Sequence, residues 1–304
     1  MSVKNKKKSS IKISKGRKIF LICNNIFLIS FALICLIPFI NLLAISLSSA
    51  HANDAGIVGL LPVDFNITSY QILIGKKEFW RAFAISIERV VLGTTISLAV
   101  NILAAYPLSR PKKQFKHRII YICVFVVSMF FYGGVVPNVL LLDSLGLLDK
   151  IWALVLPTAF NAWNVVLLIS FFREVPSELI EAAEIDGASQ WQILFKVVLP
   201  ISLPALATVT LFTVVAHWNN WFDAIIYIND ESGYPLQTYI YMLLQNLEFM
   251  LQNPEKFSAI EQAHLSNKAL RSAQIFIAML PIMCVYPFVQ KYFIKGLTQG
   301  GVKE

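Results

Sequence analysis

The residues whose chemistry stands out in this chain fall into two groups. The first is an acidic stretch carrying Glu174, Glu178, Glu181, Glu184 and Asp186, followed by Gly187, Ala188, Ser189, Gln190, Trp191 and Gln192. The second combines amides with indoles: Asn161, Trp163 and Asn164, then His217-Trp218-Asn219-Asn220-Trp221-Phe222-Asp223. Amides hydrogen-bond to hydroxyl groups and indoles stack on sugar rings, so this second group has the chemistry of a saccharide path. Hydrogen bonds between helices and an interfacial aromatic belt would use the same residue types. At helical spacing His217, Asn220 and Trp221 share one face, with Trp218 beside Trp221 and Phe222, and Asn161 and Asn164 lie three apart. No Gly-x-x-x-x-Gly-Lys-Ser/Thr phosphate loop occurs, no zinc-ligand spacing, and no Ser-His-Asp arrangement; the four histidines are scattered. Cys23, Cys35, Cys123 and Cys284 sit in apolar stretches without a Cys-x-x-Cys pair, as small apolar residues do.

The medium that must hold these groups is a bilayer. Of 304 residues, 57% are hydrophobic and only 14% charged, and the mean hydropathy is +0.64. A soluble domain is about 25% charged, so this chain has too little polar surface to cover itself in water. Six apolar stretches reach the roughly 20 residues a crossing needs, near 19–47, 80–107, 119–142, 151–171, 205–228 and 272–294. Lipid offers the backbone no hydrogen bonds, so each is expected to be helical. Pro38, Pro137, Pro157, Pro281 and Pro287 predict kinks within them. The first stretch follows a basic region, Lys4 to Lys18, and is about twice the length of a signal-peptide core. It reads as a spanning helix that stays, although Ala50-His51-Ala52 resembles a cleavage site.

Lys and Arg number 26 against 18 Asp and Glu, and their placement suits a membrane surface better than nucleic acid. Residues 1–18 hold eight, 108–118 five, 172–204 two and 290–304 three, while the alternate flanks hold seven, counting Arg81. The bias predicts both termini and two loops in the cytoplasm. It divides the chain into a basic tail (1–18), a first helix with its external loop (19–79), a core of spans two to six (80–294) and a cytoplasmic tail (295–304). The external segment 229–271 mixes charges, amides and apolar residues and is read as short surface helices. Glu88 and Arg89 lie inside the second span, where charges mark pathways, gates or subunit contacts. As neighbours in sequence they do not face each other on a helix.

The acidic segment departs from the positive-inside pattern of its surroundings. Ser177 can cap a helix start, and Glu178 in the first turn favours the dipole. Ala182 and Ala183 leave a smooth surface for close approach. Gly187 can stop the helix in a left-handed conformation. Ser189 and Gln192 have capping-box spacing for a second helix bearing Trp191, Leu194, Phe195 and Val198 and ending at Pro200. The expected unit is a helix–turn–helix between the fourth and fifth spans. Were it merely resting on lipid, anionic headgroups would repel its five carboxylates.

Glu181-Ala182-Ala183, Asp186-Gly187-Ala188, Phe195, Leu199 and Pro200 resemble the EAA loop of bacterial ABC importer permeases, whose form is E-A-A-x-x-x-G followed by a Phe and a Pro. Ala104-Ala105-Tyr106-Pro107-Leu108-Ser109-Arg110 is similar to the close of the second span in the sugar branch of that family. Pro281-Ile282, Tyr286 to Phe293, Gly296-Leu297-Thr298 and Gly300 to Lys303 resemble the C-termini of complex-oligosaccharide and maltodextrin permeases, with Glu304 in place of their usual glycine. The resemblance runs from about residue 80 to the end. It implies an all-α polytopic membrane protein of the type I importer fold, with six spans, N-in and C-in. It also implies that Glu178, Glu181, Ala182, Ala183, Asp186, Gly187 and Ala188 form a coupling helix and turn docking on an ATPase subunit.

The partners implied are a second, related permease, two ABC ATPases that bind ATP and magnesium, and an extracellular solute-binding protein. The chain itself needs no cofactor and is no enzyme. The substrate implied is a sugar or oligosaccharide, and the bacterial cytoplasmic membrane is the implied location. A permease for an amino acid, peptide or phosphonate shares the same loop and stays open. An ion-coupled transporter would need midplane carboxylates and paired repeats; a membrane-embedded enzyme would need clustered catalytic groups.

Overall fold

The computed structural model describes residues 14–131, 133–253 and 268–300. Most of the basic tail, residues 254–267 of the segment expected to be external, and the C-terminal Gly301 to Glu304 lie outside the described residues. Every regular element among those described is helical. The chain divides into two compact units, one of 14–69 with Lys268–Phe276 and one of the remaining described residues.

In the first unit, α1 (Lys15–Ser46) is exposed and apolar on every side from Ile26 to Ile40, Ser30 apart, the habit of a helix whose solvent is lipid. Beyond it, α2 (Ala50–Asp54) is capped by Ser49, and Ala52, the small residue of the cleavage-like element, is fully buried. Asn41 donates to the Gly59 carbonyl at 2.7 Å, Ser48 receives the Val63 N–H at 3.0 Å, and Asn53 reaches back to Ile45 at 3.0 Å.

The second unit is built on α4 (Lys77–Ser109), which follows the short α3 (Thr68–Gly75). Ser86, Arg89, Gly93, Ser97, Asn101 and Ala105 recur on α4 every three or four residues, and all are buried. Small side chains let neighbouring helices approach closely, and polar ones bind across them. Against this stripe pack α8 (Ala162–Arg173) and α12 (Leu203–Asn219). Apolar packing closes the unit at two places. One cluster joins Ala105 and Leu108 to Val165, Phe172, Ile180, Ile193 and Val209. The other joins Leu142 and Leu154 to Ala224, Tyr227 and Tyr234.

The expected spans are more broken than periodicity implied. By length and composition α1, α4 and Lys268–Pro287 of α15 (Lys268–Gly300) can each cross a membrane. Ile151–Thr158, formed by α7 (Ile151–Val155) and a 3-10 turn, meets α8 at a 49° bend. Gln190–Ile201 meets α12 at 83°. The stretch expected as one span over 119–142 is two helices, α5 (Arg118–Ser128) and α6 (Val135–Ser144), each too short alone. Gly134, with φ +91°, turns the chain between them in a region only glycine enters readily. The fifth stretch stops at Asn219, and α13 (Phe222–Tyr227) starts anew after two residues. Within 229–271, a 17-residue helix, α14 (Leu236–Gln252), stands where only short helices were expected.

These breaks need hydrogen-bond partners, because an orphaned amide in lipid is costly. At the α7–α8 bend, Asn101 of α4 supplies them. Its carboxamide oxygen receives the Asn161 N–H at 3.0 Å, and its nitrogen donates to the Ala159 carbonyl at 3.4 Å and to Ser97 at 2.9 Å. Asn101→Leu keeps the volume but orphans the bend. It is expected to cost about 1–3 kcal/mol, read as a lower thermal unfolding midpoint of the purified, detergent-solubilised protein; an unchanged midpoint would show that the bend holds without Asn101.

Candidate functional site

The acidic segment folds as α9 (Ser177–Ile185), a tight turn, and α10 (Gln190–Ile193). Its start differs from expectation. Pro176, not Ser177, holds the cap position, and no side chain caps the helix; the fixed φ of proline sets the entry instead. The end is a Schellman motif: Gly187 N–H donates to the Glu184 carbonyl at 3.1 Å and Ala188 N–H to the Ala183 carbonyl at 2.9 Å, with Gly187 at φ +77°. A Cβ on Gly187 would meet nothing within 4 Å among the described residues, so the glycine here answers to backbone conformation and not to space. The capping box forms, with Gln192 N–H on Ser189 Oγ at 3.3 Å and Ser189 N–H on Gln192 Oε1 at 2.8 Å.

The second helix runs past Pro200. A π-helical stretch over Leu194–Val198 precedes α11 (Leu199–Ile201), and the sharp bend follows at Ser202. Pro200 has no N–H to give to the Lys196 carbonyl, and a widened turn accommodates that gap.

The two faces of α9 are unlike. Glu178, Glu181, Ala182 and Ile185 lie at three- and four-residue spacing and are exposed, Ile185 by 87%. Asp186 and Gly187 at the tip are exposed too. Ile180 is buried in the core, and Ala183 and Ala188 pack half-buried against it. Only one of the two alanines therefore offers a smooth outer surface; Ala183, like Ala188, anchors the elbow from within. Glu184 is exposed like the outer face but tethered, its Oε1 receiving Gln114 Nε2–H at 3.2 Å and Gln190 Nε2–H at 3.4 Å.

The second group gathers around a cavity of about 330 Å³ between α4, α8 and α12. Asn161, Trp163, Asn164, His217 and Asn220 line it, together with Arg89, Ser97, Thr158 and Thr213. Asn161 is also the cap of α8, accepting the Asn164 N–H at 3.1 Å, and the Asn164 amide points to Thr213 Oγ1 at 3.4 Å. The His217 ring lies so close to Gly93 that a Cβ there would fall 2.4 Å from Nε2.

Trp218 and Trp221 are not on this wall. Trp218 stacks edge-on with Phe83, at 5.9 Å between ring centroids, and donates to the Ala278 carbonyl at 2.9 Å. Trp221 stacks on Tyr241 at 4.0 Å. The shared face expected for His217, Asn220 and Trp221 assumed a helix through 221. Asn220 is extended, with ψ 119°, so Trp221 swings away.

That break is held by Arg89, which is fully buried. Its Nη1 donates to the Asn220 carbonyl and to Asp223 Oδ1, each at 3.0 Å, and its Nη2 pairs with Asp223 Oδ2. Asn220 Nδ2 also donates to Asp223 Oδ2 at 2.9 Å. Glu88 points out to the exposed side of α4. Asp223 was recoverable from sequence: it is the sole acid in the fifth apolar stretch, and a buried guanidinium in lipid requires an anion.

Comparison with known proteins identifies this architecture. Residues 97–299 match the family described as the binding-protein-dependent transport system inner membrane component. The chain belongs to this family. The permease is 37% identical over 277 residues to the polygalacturonan/rhamnogalacturonan transport system permease protein of Bacillus subtilis, across 91% of this chain and 96% of that one. It is 30% identical to a trehalose/maltose transport system permease protein of Thermococcus litoralis, across 90% and 93%. Among solved structures, one chain of a bacterial ABC transporter involved in import of the acidic polysaccharide alginate superimposes with a TM-score of 0.81 at 34% identity, covering 93% of this permease and 100% of that chain.

Removing one partner of a buried ion pair strands the other. In the permease, Arg89→Met and Asp223→Asn are each expected to cost about 3–5 kcal/mol. The double substitution should cost less than their sum by about 1–3 kcal/mol, measured as a double-mutant cycle on unfolding of the solubilised protein. Additive losses would mean the pair is not coupled.

Proposed function

We propose that this permease carries a sugar or oligosaccharide across the bacterial cytoplasmic membrane as one half of the translocation path of an ABC importer. The observation that carries the reading is the elbow at α9: an exposed stripe of Glu178, Glu181, Ala182 and Ile185, closed by an obligatory left-handed Gly187 and anchored from behind by Ile180. It suits a helix that seats in a groove of a separate motor subunit and passes its movement to the core.

In this reading six spans place both termini and the elbow in the cytoplasm, with α5 and α6 together forming the third. Two ATPase subunits bind ATP and magnesium, hydrolyse the nucleotide and move the elbows. A second, related permease completes the path, and a binding protein outside the cell delivers the substrate. ATP-driven closure of the ATPases opens the path outward, and hydrolysis resets it inward.

The cavity between α4, α8 and α12 is the proposed contact of this chain with substrate. Trp163, 60% exposed although it lines the cavity, offers a face for a sugar ring. Asn164 and Thr213 offer hydroxyl partners. Arg89 adds a guanidinium whose Nε–H has no hydrogen-bond partner among the described residues. A relative named for polygalacturonan/rhamnogalacturonan and one involved in import of an acidic polysaccharide support an oligosaccharide containing acidic sugars.

The direct test is binding-protein-dependent uptake by the assembled importer in proteoliposomes. ATP-dependent, ionophore-insensitive uptake of an oligogalacturonate in preference to a maltodextrin is expected, and uptake collapsed by an ionophore would overturn the reading. Gly187→Val, costing about 1–2 kcal/mol through its left-handed backbone, and Ala182→Trp are expected to leave the protein inserted while abolishing substrate-stimulated ATP hydrolysis. Normal stimulation in both would remove the elbow from the coupling role. Trp163→Ala is expected to raise the half-saturating substrate concentration about tenfold, the loss of one stacking contact of about 1.4 kcal/mol; an unchanged value would place the substrate elsewhere.

A further inference from the structure

A larger cavity, about 650 Å³, lies beside the end of α4, away from the one assigned to substrate. Tyr106, Arg110, Gln114, Phe115, Gln190 and Trp191 line it. Arg110 is only 7% exposed, yet its Nε–H and Nη2–H have no hydrogen-bond partner among the described residues. Its guanidinium sits over the Tyr106 ring at 4.4 Å. The Tyr106 hydroxyl is engaged elsewhere, donating to Gln190 Oε1 at 2.8 Å, and the nearby carboxylate of Glu184, which takes Gln114 and Gln190 on Oε1, acts on Arg110 through space without a hydrogen bond to it. Arginine stays charged in proteins, so a cation with two idle, covered donors forms part of the wall of an open volume. Such a site calls for an oxyanion.

The surroundings say which one. Arg110 directly follows a helix long and apolar enough to cross a membrane. Lys112, Lys113, Lys116 and His117, all exposed, come next in the chain. Trp191 and Phe195 stack on each other at the same end and are 60% and 59% exposed, as aromatic side chains at a membrane interface are. Leu103, 47% exposed, continues the wall along α4 with an apolar surface. An anion with an attached hydrocarbon fits this sequence of basic rim, idle guanidinium and apolar flank, and basic pockets of this kind hold anionic headgroups.

We propose that the cavity beside Arg110 binds an anionic phospholipid, with the guanidinium turning from the Tyr106 ring to put its idle Nε–H and Nη2–H on the headgroup phosphate and an acyl chain along Leu103 and Trp191. Gln114 and Gln190 link this site to Glu184 of the elbow, so the lipid would also set how firmly the elbow is held. That consequence rests on the coupling role proposed above; the binding claim does not.

Trp191 is a reporter built into the site. The assembled transporter, purified in mixed micelles, is titrated with phosphatidylglycerol brominated on its acyl chains, and the Trp191-dependent emission is taken as the difference from a Trp191→Phe variant. Brominated phosphatidylglycerol is expected to quench this emission at mole fractions at least tenfold below those required of brominated phosphatidylcholine. Arg110→Gln should shift the phosphatidylglycerol midpoint upward about tenfold, and Arg110→Lys should retain part of the preference. Millimolar inorganic phosphate should not compete. Equal quenching by the two lipids would reduce the site to ordinary lipid contact and overturn the proposal, and that comparison on the unaltered protein decides even where Arg110→Gln fails to assemble. Displacement by inorganic phosphate would overturn it in favour of a soluble anion. ATP-dependent saccharide uptake is measured separately, so losing one reading leaves the other standing.

Discussion

A membrane leaves no water to repair an interrupted helix, and this constraint organises the second unit of the permease. Three of its four expected spans after α4 are broken, and at two of the breaks a side chain of α4 supplies what is left unpaired. Asn101 serves the bend before α8, and Arg89 serves the carbonyl left at the end of α12. Both project from the same buried stripe of α4. At the end of α4, Arg173 donates to the Leu108 carbonyl at 3.3 Å and Arg118 to that of Arg110, so the last turn is closed by cations suited to the negative helix end. The longest helix of the unit thus serves as a spine whose polar residues hold the discontinuities of its neighbours.

Placing polar groups along the spine separates two kinds of interior. Apolar clusters close the unit near Leu108 and near Leu142, and between them lies a band of Arg89, Ser97, Asn101, Asn164, Thr213 and His217. The ion pair of Arg89 with Asp223 is not a simple stabiliser, because desolvating two charges offsets most of their attraction. What it specifies is geometry: Asn220 stays extended, and its carbonyl and amide are both committed to the pair. The same commitment turns Trp221 away from the cavity. The cavity wall and the break in α12 are therefore one arrangement.

Sequence reasoning recovered what local rules govern. Gly187 as a left-handed stop and the Ser189–Gln192 capping box depend on a handful of neighbouring residues, and both are present. The elbow's acidic outer face was legible for the same reason. Periodicity carried less far. It treated 119–142 and 205–228 as continuous, whereas Gly134 and the Arg89–Asn220 contact interrupt them; the second cause lies 131 residues away in the chain. Trp221 was misplaced because a helical wheel has no meaning once the helix has ended. The half-burial of Ala183 in the core and the tether of Glu184 to Gln114 and Gln190 depend on partners outside α9. The α4 stripe was visible as small and polar residues every three or four positions, and it went unread because a hydropathy window averages such a stripe away.

The spine also bears on how a force at the elbow could reach the cavity. Arg89 and Tyr106 lie 17 positions apart on one helix, roughly 25 Å at 1.5 Å per residue. Tyr106 holds Gln190 of the elbow's second helix, while Arg89 holds the carbonyl at the end of α12. A second route runs from α10 through the π-helical stretch and the bend at Ser202 into α12 itself. The two routes leave the elbow separately and meet again at Asn220, where α4 grips α12. A rigid displacement of the elbow would load both, and they cannot accommodate it independently because the contact of Arg89 with the Asn220 carbonyl ties their far ends. The widened turn at Leu194–Val198 and the bend after it are then the places left to absorb the difference, since α4 is continuous and its buried face is bound at Arg89, Asn101 and Tyr106.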